Sequence, residues 1–217
     1  MHVGTAPAAE AIAAAGASCE TCAHYLAFTE EDFDRLGASL KTAPPVKGRA
    51  DREGLWKFIA NGTISFLASD HAPAPESEKL TGDPLSAYGG IPGVGTGFPF
   101  LLSEGYLAGR LTLPRFLEAS SGKAAERFGL SARKGSIAVG KDADFAFVDP
   151  ASSWDVEGWR LFSRGKITPF EGMRFSGRVV ATWVRGEAVF EDFEGGGGES
   201  AIVAAPGYGK YLNWGYR

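Results

Sequence analysis

The chain has 217 residues and a formal net charge of -4, with 44% of its residues hydrophobic and 22% charged. This composition is typical of a globular protein with one substantial core, and the lack of a basic run argues against nucleic acid or an anionic membrane as partner, so we expect a small-molecule ligand. Two cysteines are too few for a disulfide framework. The sequence shows neither a signal-peptide pattern, with basic residues before an apolar stretch, nor an apolar run of about 18 residues. These features predict a cytoplasmic location.

The first quarter of the chain predicts helices that alternate with short apolar segments. Residues 5–15 are rich in alanine and predict a helix that Gly16 ends, and residues 17–26 predict a strand with its following loop. Residues 29–33 have the pattern of a capped acidic helix start, and residues 52–60 predict an amphipathic helix. This order favours an α/β protein.

The stretch from 61 to 75 is the one around which the chain is organised. An apolar run at 64–68 ends in Asp70 and His71 and is followed by a proline-broken loop, which predicts a buried strand with a carboxylate and an imidazole at its C-terminal end. In a parallel α/β barrel that end carries the chemistry. A carboxylate there suits metal-assisted hydrolysis, and the plain alternative is a helix N-cap beside a surface histidine.

The chain changes character twice after this stretch. Residues 73–97 are rich in glycine and proline and predict a long loop that serves as a lid or binding loop. Helices are predicted at 98–106, from Thr112, and at 124–128. Two turn-bounded β segments then follow at 134–149 and 177–190, which predict a small sheet. We therefore divide the chain into residues 1–133, residues 134–193, and a glycine-rich linker with an aromatic tail at 194–217.

Five blocks of sequence carry a family resemblance. They are ETCAHYL at 20–26, PPVKGRADREGLW at 44–56, LASDHAP at 67–73, the stretch at 134–149, and GKITPFEG at 165–172. Together they resemble the conserved blocks of cyclic amidohydrolases, the dihydroorotase, allantoinase and dihydropyrimidinase group, in the right order over residues 2 to 190. The resemblance implies the C-terminal part of a metal-dependent (β/α)8 barrel, from about the sixth strand onward, followed by part of a small β-sandwich domain.

The resemblance also implies roles for single residues. Asp70 matches the metal-binding aspartate that serves as general base, and His2 matches a metal ligand, because residues 1–6 are similar to the sixth-strand segment of the family. The expected metal is zinc, binuclear in the complete enzyme. The expected substrate-binding residues are His71, Gly89, Gly90, Ile91 and Pro92.

This chain departs from the family pattern in its metal ligands. It has three histidines and no His-x-His pair, and the region that would supply a bridging lysine is absent. We therefore expect that it represents the C-terminal half of such an enzyme, does not hydrolyse a substrate alone, and either needs the N-terminal half or forms a homo-oligomer. The alternative is a non-catalytic scaffold or partner subunit derived from an amidohydrolase.

The substrate class implied is a cyclic amide or ureide whose ring C–N bond is hydrolysed. Ala43 and Ala74 stand where dihydroorotases usually carry an asparagine and a histidine that resemble carboxylate-binding positions, and alanine cannot donate to a carboxylate. Residues 86–91 look more like the allantoinase loop, whereas 92–94 and 168–172 are similar to dihydroorotase. Allantoin and dihydroorotate therefore both remain candidate substrates.

Several other residues have a plain structural interpretation. Cys19 and Cys22 are expected to be buried strand cysteines, because a structural zinc needs a second ligand pair at suitable spacing. His24 is expected to pack near the site or to support it rather than to bind metal. Asp142 and Asp144 are expected to form a turn.

Overall fold

The computed structural model describes residues 1–192 and 201–212, in which helices and parallel strands are followed by an antiparallel sheet. The helices are α1 (Ala6–Ala14), α2 (Ala23–Ala27), α3 (Glu30–Leu36), α4 (Arg49–Asn61), α5 (Glu76–Lys79), α6 (Val94–Phe100), α7 (Leu113–Leu117) and α8 (Lys123–Arg127). Short helical segments of other types are Gly37–Leu40, Leu101–Leu107, Glu118–Gly122 and Gly158–Arg160. The strands are β1 (Glu20–Cys22), β2 (Phe66–Ala68), β3 (Phe145–Asp155), β4 (Arg174–Val184), β5 (Glu187–Glu191) and β6 (Ala201–Ile202).

The parallel part consists of three neighbouring extended segments. β1 pairs in parallel with β2, so that Cys22 lies opposite Ala68. On the other side of β1, the Val3 N–H donates to the Glu20 carbonyl at 2.8 Å, and the Thr21 hydroxyl donates to the Val3 carbonyl at 2.7 Å. Helices connect the three segments in chain order, which is the pattern of part of a (β/α) barrel.

The contact between α1 and α4 follows from local sequence. The Thr5 side chain caps α1 by accepting from the Ala8 N–H at 3.3 Å. The Ala6 N–H donates to the Asp51 carboxylate at 2.9 Å, which ties the first turn of α1 to α4. A Cβ on Gly54 would lie 2.5 Å from the Ala6 Cβ, so only glycine permits this approach.

The antiparallel sheet has the order β3-β4-β5-β6 and packs on the parallel part. The Ser176 N–H on β4 donates to the Ser103 hydroxyl at 3.0 Å. Phe100, Phe170 and Phe175 are at most 2% exposed, and their ring centroids lie 5.7 to 6.1 Å apart. Both parts therefore share one aromatic core.

Two sequence predictions about loops and strands are corrected. The predicted loop at 73–97 contains α5, whose acidic first turn directly follows Pro75, and it also contains the start of α6. The strand predicted within 17–26 ends at Cys22, and the chain continues directly as α2. With 3 and 5 residues, β1 and α2 are too short for a hydrophobic period to separate strand from helix.

The predicted β segment at 134–149 becomes strand only at Phe145. Before that residue the chain turns, because Lys134 pairs with Asp142 and with Asp144, and Asp144 also accepts from the Arg185 N–H at 2.9 Å. Both aspartates, predicted to form a turn, lie in the irregular segment that leads from the turn at 139–140 into β3.

Part of the predicted C-terminal tail can be placed. The Tyr208 hydroxyl donates to the Val184 carbonyl at 2.8 Å, and the Arg185 guanidinium lies 4.4 Å from the centre of the Tyr208 ring. The predicted glycine linker at 195–198 and the aromatic residues Trp214 and Tyr216 lie outside the described residues. Among the helices of residues 1–192 and 201–212, none has the length and apolar character needed to cross a membrane.

Candidate metal centre

Potential metal ligands meet where the parallel segments end. A sulfur of Cys22, a ring nitrogen of His24 and a carboxylate oxygen of Asp70 all lie within 4.8 Å of one another. Cys22 is the last residue of β1, and Asp70 follows β2 by two residues. These are C-terminal strand ends, where barrel enzymes carry their functional side chains.

His24 lies at the centre of this group. Its side chain is 1% exposed, and its Nε2 has no hydrogen-bond partner and lies 3.9 Å from the Asp70 Oδ2. Burial lowers the pKa of His24 to about 3, with a further contribution from the charge of His2. The imidazole is therefore neutral, and its distance from Asp70 reflects neither a hydrogen bond nor an ion pair. A neutral imidazole nitrogen is a good metal ligand.

His2 and Asp70 share an unusual backbone conformation. Their φ angles are 39° and 44°, in the left-handed region that non-glycine residues rarely adopt, and Arg185 is the only other non-glycine residue there in the described part of the chain. Such conformations cost about 1–3 kcal/mol each and are concentrated at functional sites. The His2 Nδ1 is also buried without a hydrogen-bond partner. Both predicted ligands are thus held in a strained geometry.

The donor set fits a borderline cation such as zinc. The His24 imidazole, with its unpartnered buried nitrogen, and the Asp70 carboxylate are donors that zinc accepts at about 2.0–2.2 Å, and the buried unpartnered His2 nitrogen is of the same kind. Cys22 suits this role less well, because burial and then the charges of Asp70 and Glu20 raise its pKa, and only a thiolate is a strong ligand. Cys19 and Cys22 are buried free thiols, as predicted.

The sequence interpretation gave His24 a packing or supporting role near the site rather than a role as metal ligand, and the structure places its unpartnered nitrogen at the candidate centre. The signal that could have found it is its position two residues after the end of β1. The sequence did not show where that strand ends.

The predicted substrate segment, residues 89–92, lies directly beside the Asp70 loop. His71 forms a parallel bridge with Ile91, and the Ala72 N–H donates to the Ile91 carbonyl at 2.9 Å. The His71 Nδ1 accepts from the Val94 N–H at 3.1 Å, so this ring orders the start of α6. The four predicted substrate residues and His71 are thus brought together.

Two glycines permit this close packing. A Cβ on Gly90 would lie 2.5 Å from the Ala72 carbonyl oxygen, and one on Gly93 would lie 1.8 Å from the Ser69 carbonyl oxygen. A Cβ on Gly89 would meet only the Ala43 Cβ, at 3.7 Å. Gly90 and Gly93 therefore hold the segment against the loop, and Gly89 faces the other side.

A separate cavity of about 180 Å³ lies between β2 and α6. Its lining is mostly apolar and includes Leu67, Phe98 and Leu101 but neither Asp70 nor a histidine. The candidate centre is thus defined by its side chains and not by this cavity.

Alternating helices and parallel strands, with imidazole and carboxylate groups at the strand ends, define part of a (β/α) barrel with a candidate metal centre. The chain belongs to the amidohydrolase family, whose profile matches residues 2–189. The predicted family resemblance and fold class are confirmed.

Relatives and solved structures agree with this assignment. An allantoinase of Rubrobacter xylanophilus is 43% identical over 196 residues, which are 88% of this chain and 43% of that protein. An allantoinase of Bacillus licheniformis is 38% identical over 82% of this chain and 39% of that protein. The L-hydantoinase (dihydropyrimidinase) structure from Arthrobacter aurescens matches with a TM-score of 0.89 at 34% identity, over 96% of this chain and 46% of that chain. The chain thus spans less than half the length of these relatives.

Proposed function

We propose that the protein takes part in the metal-dependent hydrolysis of a C–N bond in a cyclic amide or ureide. The observation that carries this proposal is the meeting of His24 and Asp70 at strand ends, with a buried unpartnered nitrogen on His24 and another on His2. Family membership and the allantoinase and hydantoinase relatives support it.

The proposed roles follow from chemistry and position. His2, His24 and Asp70 would hold the cation, and zinc is the metal that best suits this donor set. A zinc ion, when bound, supplies Lewis-acid activation of water and of the scissile carbonyl. Asp70 accepts the proton of the attacking water and passes it to the departing amide nitrogen, since a carboxylate at this position can serve first as base and then as acid.

A neutral ureide is favoured over dihydroorotate as the substrate. Dihydroorotate carries a carboxylate, which requires N–H donors or a positive charge, and the side chains of Ala43 and Ala74 offer neither. The allantoinases among the relatives support the same choice. Residues 89–92 and His71 would contact the ring.

The proposal includes a partner. Three donors from this chain leave room for further ligands of a binuclear centre, and the matched relatives are more than twice as long as the matched region. We propose that the remaining donors come from polypeptide outside these 217 residues or from a second copy of the chain. The alternative function, a non-catalytic scaffold, keeps the fold without needing those donors.

The test compares Asp70→Asn and Asp70→Ala with wild type, each made as the full-length product of the gene. Turnover of allantoin, hydantoin, dihydrouracil and dihydroorotate is measured together with zinc content by mass spectrometry. We expect turnover by wild type, loss of at least about 10³-fold in both variants because the general base is gone, and unchanged folding by circular dichroism.

Asp34→Asn, at an exposed position on α3, is the matched control and should retain full turnover. Activity that survives in Asp70→Ala would contradict the assigned base. A stably folded wild type that holds no zinc and hydrolyses none of the four compounds would favour the scaffold.

A further inference from the structure

Lys79 is a buried cation that the proposed chemistry does not use. It lies at the end of α5 and is 1% exposed. Its Nζ donates to the carbonyls of Lys41 at 2.8 Å, Tyr88 at 3.0 Å and Gly90 at 2.7 Å. An ammonium has three N–H donors, so each of them has one carbonyl partner.

Burying the charged ammonium of Lys79 is unfavourable, and this lowers its pKa. Burial, together with a smaller contribution from the nearby charge of Lys41, lowers the pKa of Lys79 to about 8. Its partners are main-chain carbonyls, which offset the lost hydration by charge-assisted hydrogen bonds. A lysine held in this way orders the main chain around it.

The main chain so ordered is the substrate segment. The Gly90 carbonyl accepts from Lys79, whereas the next carbonyl, that of Ile91, accepts from the Ala72 N–H at 2.9 Å. Two consecutive peptide groups are thus fixed from opposite sides, one by α5 and one by the loop that carries Asp70. In addition, the Tyr88 N–H donates to the Glu78 carbonyl at 2.9 Å, next to Lys79.

Lys79 also connects this segment with a second one. The Lys41 carbonyl belongs to the stretch that leads to Ala43, and Ala43 is the neighbour that a Cβ on Gly89 would meet. The Lys79 ammonium therefore holds the stretch from Lys41 to Ala43 beside residues 88–90. The pairing is long-range in sequence, since Lys79 and Lys41 are 38 residues apart.

We propose that Lys79 is a positioning residue that fixes residues 89–92 beside the Asp70 loop, so that this segment is held ready to contact the ring of a cyclic ureide. This inference rests on the proposed function. Ring amides are recognised by a few fixed polar groups, and fixing those groups in advance lowers the entropic cost of binding. Lys79 acts on binding rather than on bond cleavage, because it touches only main-chain carbonyls.

The test uses Lys79→Met, which keeps the length of the side chain and removes all three donors, in the protein as its own gene encodes it. We expect KM for allantoin to rise about tenfold or more while kcat falls less than about threefold, because the segment then has to be ordered at each binding event. Amide hydrogen exchange in residues 86–92 should become at least about tenfold faster, with exchange in β1 and β2 unchanged.

Two further variants make the test specific. Lys57→Met is the matched control, because Lys57 is an exposed lysine on α4 with no part in the contacts of Lys79 described above, and it should leave KM unchanged. Lys79→Gln retains two N–H donors and should give intermediate changes. If Lys79→Met does not fold, Lys79→Gln carries the test.

The outcomes separate this inference from the proposed function. If wild type hydrolyses the substrate and Lys79→Met has the same KM and the same exchange rates as wild type, the inference fails and the proposed function stands. Faster exchange with an unchanged KM would overturn the link to the substrate. If wild type hydrolyses no cyclic ureide, the proposed function fails, and the exchange rates alone then decide whether Lys79 fixes residues 89–92.

Discussion

Replacing Arg115 with methionine tests what holds β2, the strand that precedes Asp70. Arg115 lies on α7 and is 8% exposed. Its Nε donates to the Ile59 carbonyl at 2.6 Å, and its Nη2 donates to the carbonyls of Ile64 at 2.7 Å and Ser65 at 2.8 Å. The guanidinium thus joins the last turns of α4 to the residues that lead into β2.

The size of the expected effect follows from these three bonds. Methionine fills the space of the aliphatic part of the side chain and leaves three carbonyls without their donor. Each carbonyl that water cannot reach lowers the stability by about 1–3 kcal/mol. Ile59 and Ile64 are fully buried, whereas Ser65 is partly exposed and can bind water. We therefore expect a loss of about 3–5 kcal/mol in the free energy of unfolding. The ion pair with Glu118, which is 52% exposed, adds at most about 1 kcal/mol.

The measurement is urea unfolding followed by tryptophan fluorescence and circular dichroism. The midpoint should fall in Arg115→Met with an unchanged m value. Arg49→Met is the control, because Arg49 pairs with Glu31 on the surface and both are about 70% exposed, so its change should stay below about 0.5–1 kcal/mol. A loss under about 1 kcal/mol in Arg115→Met would refute the anchoring role, because water would then have replaced the guanidinium at little cost.

Three further predictions concern packing and pH. Gly93→Ala should lower the free energy of unfolding, measured by urea denaturation, by about 1–3 kcal/mol, because the added Cβ would overlap the Ser69 carbonyl. Gly89→Ala is the control and should change it by less than about 0.5 kcal/mol. Equal losses in the two variants would contradict the packing described for Gly93. His24 has its pKa lowered from 6.5 to about 3, so its contribution to stability is complete above pH 6.5 and is lost as the pH falls towards 3. The urea midpoint of wild type should thus fall more steeply in acid than that of His24→Gln, both measured with chelator; parallel curves would contradict this. Phe175→Ala should cost about 3–5 kcal/mol and keep one unfolding transition, and two separate transitions would disprove a shared core.

The sequence predicts the parts of this molecule that depend on local pattern. The apolar run before Asp70 gives a strand, and a helix begins after Thr112, as predicted. Asp70 therefore follows the C-terminal end of its strand, as predicted. These features are set by residues a few positions apart.

Features that depend on distant contacts could not be predicted in this way. His24 reaches the candidate centre only because β1 ends at Cys22, and neither apolar content nor spacing marks that end. Lys79 and Arg115 look like ordinary surface cations in the sequence, since charged residues are usually exposed. Their partners lie up to 38 and 56 residues away, so their burial emerges only from the tertiary fold.

The aromatic cluster of Phe100, Phe170 and Phe175 has a consequence for how the chain can be divided. Phe100 belongs to the helical part and Phe175 to β4, yet both rings are almost completely hidden from solvent by each other and by Phe170. A polypeptide ending at residue 133 would expose the inner surface of α6 to water and become prone to aggregation. Recombining modules between relatives at that junction would require exchanging the matching rings as one set.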